Sequence, residues 1–311
     1  MNLKRLAQIP KGRLFKKLLG FDEIFTIALR GECGGTLLRE SDRPFRPISY
    51  SSKYWYADPI TFCHEGKQYL FAEEYDRDTL KGQLAVAVLE PNCGNVTFRT
   101  ILQEPYHLSY PMVFSWGDGI YMIPETSENK SINLYQAESF PYRWRLVRAF
   151  DVGRELVDTV VLEKTGGDLI LLTSEVSPEN PLLVRFRKLV LKKDGDAISL
   201  ELLPEGEDSP YDLDSRTAGR IFDQGGVRVL PTQSSTAVDY GHSLYFAKLT
   251  ADGTTRLCGY GPADVEIEGI PAKDRIGIHT YSCTDTLEVI DVRYQKFAPV
   301  NQMKKVLKKV R

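Results

Sequence analysis

The chain has 311 residues, an ordinary 42% apolar content and a formal net charge of −2. That balance excludes a dedicated nucleic-acid binder, whose footprint is basic, and it leaves enough apolar matter for a packed core. No apolar run reaches the ~18 residues that a membrane-spanning helix needs, and the length suits one all-β barrel or propeller as well as two smaller domains.

The five cysteines, Cys33, Cys63, Cys93, Cys258 and Cys283, are odd in number and scattered, without C-x-x-C or other metal-ligand spacing. They read as reduced thiols of a cytosolic protein, not as a disulfide framework. Residues 1–22 carry Lys4, Arg5, Lys11, Arg13, Lys16 and Lys17 among leucines and Phe15. The run from Lys11 to Lys17 interrupts any secretory-signal core. Residues 299–311 carry Lys304, Lys305, Lys308, Lys309 and Arg311 around Val306, Leu307 and Val310. Both ends are basic amphipathic segments that either lie on an anionic membrane surface or are solvated tails. The expected organisation is one domain over residues 23–298 between these tails.

In chain order, residues 24–29 are the first predicted strand, residues 39–46 are polar and loop-like, and residues 45–50 lead up to a repeat. Residues 55–62 form a short apolar strand holding Asp58, a turn follows at His64-Glu65-Gly66, and a second apolar strand ends on Glu73-Glu74. The phrase returns at Tyr110-Pro111-Met112-Val113-Phe114, with a turn at Gly117-Asp118-Gly119 and a strand ending on Glu125. It returns again at Asp158-Thr159-Val160-Val161-Leu162, turns at Gly166-Gly167 and runs on to Glu175. Copies at a spacing of roughly fifty residues fall in the range of propeller-type repeats.

The alternating residues 84–89, with 96–98 and 101–102, complete one four-stranded blade. The second blade adds 132–135 and 145–147, with the aromatic turn Phe140-Pro141-Tyr142-Arg143-Trp144 between them. The third adds 182–186 and 188–191, and residues 204–214 are an acidic loop between blades. A fourth unit runs over 216–222, a turn at Gln224-Gly225-Gly226, 227–233 and 244–247. A fifth, 277–282 and 287–292, is too short to close a blade and needs residues 25–29 from the other end of the chain. The prediction is an all-β, five-bladed β-propeller of four-stranded antiparallel blades.

The first strand of each propeller blade lines the central channel. The repeat puts Asp58, Tyr110, Asp158, Arg216 or Arg220, and His279 at equivalent strand starts. This ring is too polar for a core, because buried unpaired charge is strongly disfavoured. It either faces a ligand or staples neighbouring blades through ion pairs. A second tier, Glu73, Glu74, Glu125 and Glu175, ends the second strands. Converging carboxylates supply what glycosyl chemistry needs: one acid to protonate the leaving oxygen and another to activate water or attack. Asp212-Leu213-Asp214 has the D-x-D spacing by which nucleotide-sugar enzymes hold a divalent metal, although an acidic loop also produces it by chance. No other cofactor is expected, since P-loop, Rossmann and H-E-x-x-H patterns are absent.

Several phrases point to one family: Trp55-Tyr56-Ala57-Asp58-Pro59, His107-Leu108-Ser109-Tyr110-Pro111, Tyr121-Met122-Ile123-Pro124-Glu125, Arg216 with Ala218-Gly219, and Gly277-Ile278-His279-Thr280. Together they resemble the propeller domain at the N-terminus of plant glucosamine inositolphosphorylceramide transferases and of related bacterial proteins. That family is similar, distantly, to five-bladed arabinanase and fructosidase-type glycoside hydrolases. In those enzymes a blade-one Asp is base or nucleophile and a blade-three Asp orients or tunes the site, and Asp58 and Asp158 match these positions. The Glu that supplies the proton from blade four has no counterpart, because Arg216 and Arg220 occupy that region. Either Glu125 or Glu175 serves as acid, with Glu74 a further catalytic candidate, or the arginines and His279 bind a phosphate or nucleotide leaving group. Gln233 matches the family pattern, whereas Leu230 stands where it has arginine.

With His107 and Trp55 as further substrate contacts, the resemblance implies a carbohydrate-active enzyme, glycosyltransferase or glycoside hydrolase-like, that acts on a glycan or nucleotide sugar. It places that enzyme in cell-envelope or exopolysaccharide biosynthesis, in the cytoplasm or peripherally at the inner face of the membrane. The alternative is a non-catalytic glycan-binding or scaffolding propeller that assists a partner glycosyltransferase.

Overall fold

The computed structural model describes residues 19–31, 43–48, 51–90, 95–195, 197–204, 211–236, 239–250 and 253–299. Most of both basic tails, Cys33, Cys93 and Asp252 lie outside the described residues.

The chain opens with β1 (Phe21–Gly31) and β2 (Arg46–Pro47), then builds four sheets in order. Blade one is β3 (Tyr54–His64), β4 (Lys67–Asp76), β5 (Lys81–Leu89) and β6 (Arg99–Leu102). Blade two is β7 (Ser109–Trp116), β8 (Gly119–Glu125), β9 (Ser131–Ser139) and β10 (Arg143–Asp151). Blade three is β11 (Leu156–Thr165), β12 (Asp168–Val176), β13 (Val184–Asp194) and β14 (Ala197–Leu202). In blade four the first strand comes in two pieces, β15 (Arg216–Thr217) and β16 (Phe222–Gln224), followed by β17 (Val227–Ser234), β18 (Ser243–Thr250) and β19 (Gly253–Tyr260). Finally β20 (Arg275–Cys283) and β21 (Leu287–Phe297) join β1 and β2 in the order β2-β1-β21-β20. The result is a five-bladed β-propeller closed by strands from both ends of the chain.

The closure is a long ladder. β1 pairs with β21 from Phe21↔Phe297 to Gly31↔Leu287, and Ile27 and Ala28 within it are wholly buried. Tight turns set the inner hairpins. Glu65 and Gly66 both have positive φ (48° and 72°), as do Gly225 and Gly226 (61° and 80°). That is the type I′ geometry whose twist matches that of the flanking strands. The aromatic turn of blade two wedges Phe140 against Phe62, Tyr69, Phe71 and Trp144, sealing the junction with blade one.

Several boundaries differ from the sequence reading. Residues 182–186 and 188–191 belong to one strand, β13, and the fourth strand of blade three is β14. Lys188 interrupts the apolar run, but on a strand every second residue faces outward, so an exposed lysine does not end it. The outer strand of blade one is β6, with residues 96–98 before it, and β19 completes blade four. Arg46–Pro47 is the outermost strand of blade five, although the sequence reading took it as the approach to blade one. Cys63, Cys258 and Cys283 are free thiols.

One feature of the first strands matters for the site. Their ladders slip between Ala57 and Ile60, between Ser109 and Met112, between Val157 and Val160, and between Ile278 and Tyr281. The bulged pairs are Asp58-Pro59, Tyr110-Pro111, Asp158-Thr159 and His279-Thr280. Proline has no N–H for the ladder and settles where none is needed. Asp58, Tyr110 and Asp158 take φ of 50°, 45° and 51°, a left-handed conformation costing about 1–3 kcal/mol for a non-glycine residue.

If the β1–β21 ladder closes the ring, Ile27→Ala should lower unfolding free energy by about 2–5 kcal/mol, measured by urea denaturation followed by tryptophan fluorescence. A loss below about 1 kcal/mol, less than burial of that side chain implies, would mean that the closing strand is not part of the core.

Candidate functional site

The bulges turn Asp58, Tyr110, Asp158 and His279 towards the propeller axis, where they are 5%, 0%, 1% and 3% exposed. Asp58 is held at both oxygens: Oδ1 accepts the Thr280 hydroxyl at 2.9 Å, and Oδ2 accepts the Tyr110 N–H at 3.3 Å. Behind it stands Asp291, fully buried on β21. It accepts the backbone N–H groups of Asp58 (3.0 Å), His279 (3.2 Å) and Thr280 (2.9 Å), and the His279 Nδ1–H at 2.7 Å. With Nδ1 donating to Asp291, His279 Nε2 lies 3.8 Å from Asp58 Oδ1. Asp158 bonds to Arg216 Nε and accepts the Gln233 amide at 3.2 Å, while Arg216 Nη2 also reaches Glu125 at 3.4 Å. The Arg216 guanidinium lies 4.5 Å over the ring of Tyr240.

Burial acts against these charges. It raises the Asp58 carboxyl to about 6; His279 opposes the shift, while Asp291 and Asp158 add to it. Burial raises Asp158 to about 7 against the pull of Arg216, with Glu125 pushing the same way as burial. For His279 burial lowers the pKa, but the Asp291 charge and hydrogen bond, with Asp58 and Asp158, leave it raised. Glu73, opposite Ala57 in the β3–β4 ladder, joins the group. Its pKa stands well above the carboxylate range, first through burial and then through Asp58, Glu125, Asp291 and Asp158. Five carboxylates thus form one cluster with Arg216 and His279.

Rings border the cluster without a break. Tyr240 meets His279 edge-on at 5.3 Å, Phe25 stacks on His279 at 4.8 Å, and Trp55 contacts Phe25 at 5.3 Å. Trp55 stacks on Tyr75 at 4.3 Å, and Tyr75 lies 6.3 Å from His107.

The structure therefore brings together Asp58, Tyr110, Glu125, Asp158, Arg216, Gln233 and His279, with Trp55 and His107 at the border. Three residues named from the sequence lie elsewhere. Glu74 projects from the other face of β4 and accepts hydrogen bonds from Tyr56, Gln83 and Thr100; adjacent strand residues face opposite ways, so Glu73 and Glu74 cannot share a pocket. Glu175 is surrounded by Arg154, Arg185 and Arg187 in blade three. Arg220 donates to the carbonyls of Thr61 and Val113, beyond the bulges along the first strands. Sequence reasoning passed over Asp291, Tyr240, Phe25 and Tyr75. Asp291 had a signal, an acid within the otherwise apolar stretch Val289-Ile290-Asp291-Val292.

Among the described residues, Asp58, His279 and Asp291 form one group with potential ligand atoms within 4.8 Å of one another. The carboxylate oxygens of Asp58 and Asp291 and the Nδ1 of His279 carry internal hydrogen bonds, which a cation bound there would have to displace. In the D-x-D pair, Asp214 pairs with Arg256 at 2.5 Å and Asp212 Oδ1 accepts the Asp214 N–H, which makes it a turn motif. A cleft of about 770 Å³ is lined in part by Arg30, Lys67, Gln68 and Thr286 at the hairpin ends of blades one and five, and none of the five carboxylates lines it.

With this geometry in hand, comparison with known proteins gives a consistent answer. Residues 46–181 match the family glucosamine inositolphosphorylceramide transferase 1, N-terminal. This stretch holds Asp58, Glu73, Tyr110, Glu125 and Asp158, whereas Arg216, Gln233, His279 and Asp291 lie beyond it. Glucosamine inositolphosphorylceramide transferase 1 of Oryza sativa subsp. indica is 33% identical over 111 residues, 35% of this chain and 15% of that protein. The Arabidopsis thaliana protein of that name is 32% identical over 111 residues, 35% of this chain and 14% of its own length. The match thus spans about a seventh of these plant proteins.

In fold, the chain is similar to a thermostable family-43 glycoside hydrolase (TM-score 0.54, 13% identity, 78% of this chain and 89% of that one). It is similar also to the catalytic domain of the Coprinopsis cinerea GH62 α-L-arabinofuranosidase (TM-score 0.54, 13% identity, 86% and 97%). At 13% identity this likeness is one of fold.

Because the folded pKa of Asp158 exceeds its unfolded value, this group contributes stability below pH ~4 that is lost as pH rises through about 7. Its carboxyl carbon should titrate by NMR with a midpoint near 7, and Arg216→Gln, by removing the opposing cation, should move that midpoint upward. A wild-type midpoint near the ordinary ~4 would mean that the cavity does not desolvate it.

Proposed function

We propose that this propeller is a carbohydrate-active enzyme that transfers or cleaves a glycosyl group in its central cavity, with Asp58 as the base or nucleophile. The observation that carries the reading is Asp58 itself: a buried carboxylate at the axis, oriented by Thr280 and Tyr110 and set beside a ring-lined border. Sugar rings pack against aromatic faces through their apolar C–H surface. Asp158, clamped by Arg216 and Gln233, tunes the field around Asp58. Arg216 is engaged by two carboxylates and His279 by Asp291, so neither is available to a phosphate without breaking an ion pair. That supports entry of the sugar ring of a glycan or nucleotide sugar into the cavity, with any phosphate outside it. The basic tails support work at an anionic membrane surface on the cytoplasmic side, in cell-envelope or exopolysaccharide biosynthesis.

A second reading is a glycan-binding propeller that positions a partner glycosyltransferase. One observation favours it: Arg216 sits against Asp158 in the blade-four region where a proton-donating glutamate would be expected.

Turnover separates the two. Asp58→Asn keeps the side chain's shape, its Oδ1 can accept the Tyr110 N–H and its amide can donate to the Thr280 Oγ1, so its melting temperature should stay near that of wild type. Turnover of the glycosides or nucleotide sugars that wild type processes should fall about 10²–10⁴-fold. Glycan-induced thermal shifts without product for any donor would favour the binding reading, and an unfolded variant would make Asp58 a blade staple.

Binding is checked independently. Oligosaccharides or nucleotide sugars present at about 100 times Kd should stabilise the protein by about 2.7 kcal/mol. Trp55→Ala should reduce that thermal shift, measured against the variant's own ligand-free melt. An unchanged shift would remove the ring border from the binding surface.

A further inference from the structure

Among the described residues, one buried acid of the cluster has a carboxyl oxygen without a hydrogen-bond partner. Glu73 is 5% exposed and its Oε1 has no hydrogen-bond partner, although its neighbour Glu74 has three. The nearby polar group is His107 Nε2, 3.4 Å from Glu73 Oε1. The tautomer of His107 follows from its other nitrogen: Nδ1 accepts the backbone N–H of Gly82 at 3.0 Å, so the ring proton sits on Nε2, facing Glu73. The backbone N–H of His107 is itself tied to Glu128 at 2.7 Å. Gly82 makes the approach possible, because a Cβ there would come within 2.7 Å of both Glu73 Oε1 and His107 Cε1. A neutral imidazole whose Nε2–H lies beside a buried carboxyl oxygen, 3.4 Å away, is a hydrogen-bond donor within reach of it.

We propose that Glu73 is the proton donor of the central cavity and that His107 is a positioning residue, which receives the carboxylate left after the proton departs. The proposal rests on the enzymatic reading above and supplies the acid which that reading lacks. In the step, the Glu73 O–H proton passes to the leaving-group oxygen as the bond from the anomeric carbon breaks and its electron pair moves to that oxygen. Water or an acceptor hydroxyl forms the new bond to the anomeric carbon, and its proton passes to Asp58. The new Glu73 carboxylate accepts the His107 Nε2–H, which closes the 3.4 Å contact into a hydrogen bond. Exchange with solvent then returns a proton to Glu73 and removes one from Asp58.

The surroundings fit the role. Asp58, Glu125, Asp158 and Asp291 face Glu73 and hold its proton on, as does burial. Arg216 and His279 are committed to Asp158, Glu125 and Asp291. Burial lowers the His107 pKa, with Glu128 and Lys81 acting in opposite directions beside it, so the ring stays neutral. The ring of Tyr75 lies 6.3 Å from that of His107.

The test uses the full chain and glycosides with two leaving groups, a methyl and a 2,4-dinitrophenyl series. Glu73→Gln preserves shape, so it should lose about 10²–10⁴-fold on methyl glycosides and little on dinitrophenyl glycosides, whose leaving group departs without a proton. His107→Phe should raise the pKa of Glu73 and move the basic limb of the pH–rate profile upward. Equal losses on both series for Glu73→Gln, or an unmoved limb for His107→Phe, would overturn the assignment. Two readouts need no turnover: long-range ¹H–¹⁵N NMR should show the Nε2–H tautomer of His107, and infrared spectroscopy should show a protonated carboxyl at neutral pH that Glu73→Gln removes. An ionised Glu73 or an Nδ1–H tautomer overturns the assignment even where glycosides are processed. Spectra as expected with no glycoside turned over by wild type would instead sink the enzymatic reading and, with it, the donor role.

Discussion

A regular strand shows alternate side chains to its two faces, and in a propeller blade both faces pack against neighbouring sheets. A residue can reach the axis only if that alternation is broken. The two-residue bulges at Asp58, Tyr110, Asp158 and His279 break it at the same level in four blades. Everything polar at the centre follows from this shared irregularity, and its cost is visible in three non-glycine residues held at positive φ. The surrounding ladders over-determine the conformation, because each bulge is flanked on both sides by paired strand. Blade four solves the same problem differently. A longer interruption separates Thr217 from Phe222, and Gly219 lies so close to the Tyr281 carbonyl that a Cβ would sit 1.8 Å from it.

Once the carboxylates are brought together, desolvation and mutual repulsion dominate. An unpaired buried charge is costly enough that the group takes up a proton instead. The cavity divides its acids accordingly. Asp291 receives three backbone N–H groups and a histidine. Asp158 has one arginine and one amide and is pulled between states. Glu73 has no hydrogen bond to its Oε1 and keeps its proton. A gradient of this kind, set by environment and not by residue type, is how sites that need both an acid and a base are built.

The sequence reading and the structure part company where facing is decided. Glu73 and Glu74 are adjacent and chemically near-identical, yet one enters the cavity and the other bonds to Tyr56, Gln83 and Thr100 within its own blade. A one-residue change of register reverses them, and the bulge upstream, which has no signal beyond the Asp-Pro pair, sets that register. Glu175 occupies the corresponding strand end in blade three and is consumed by three arginines that are remote or unremarkable in the sequence. Arg220, four residues from Arg216, looked equivalent to it, but the interruption of the blade-four strand sends it to backbone carbonyls along the channel.

The hairpins, the repeat, the blade number and the need for a strand from the opposite end of the chain are local or periodic properties. Alternating apolar residues and tight turns express them directly, so the amino-acid sequence by itself determined the architecture and the ring position of Asp58, Tyr110, Asp158 and His279. Tertiary structure alone decided which acids share a cavity, which cations neutralise them and which way each ring nitrogen of His107 and His279 points. Those outcomes depend on contacts between residues up to 233 positions apart, such as the Asp58 N–H and Asp291, and no local pattern encodes a distance that only ring closure creates.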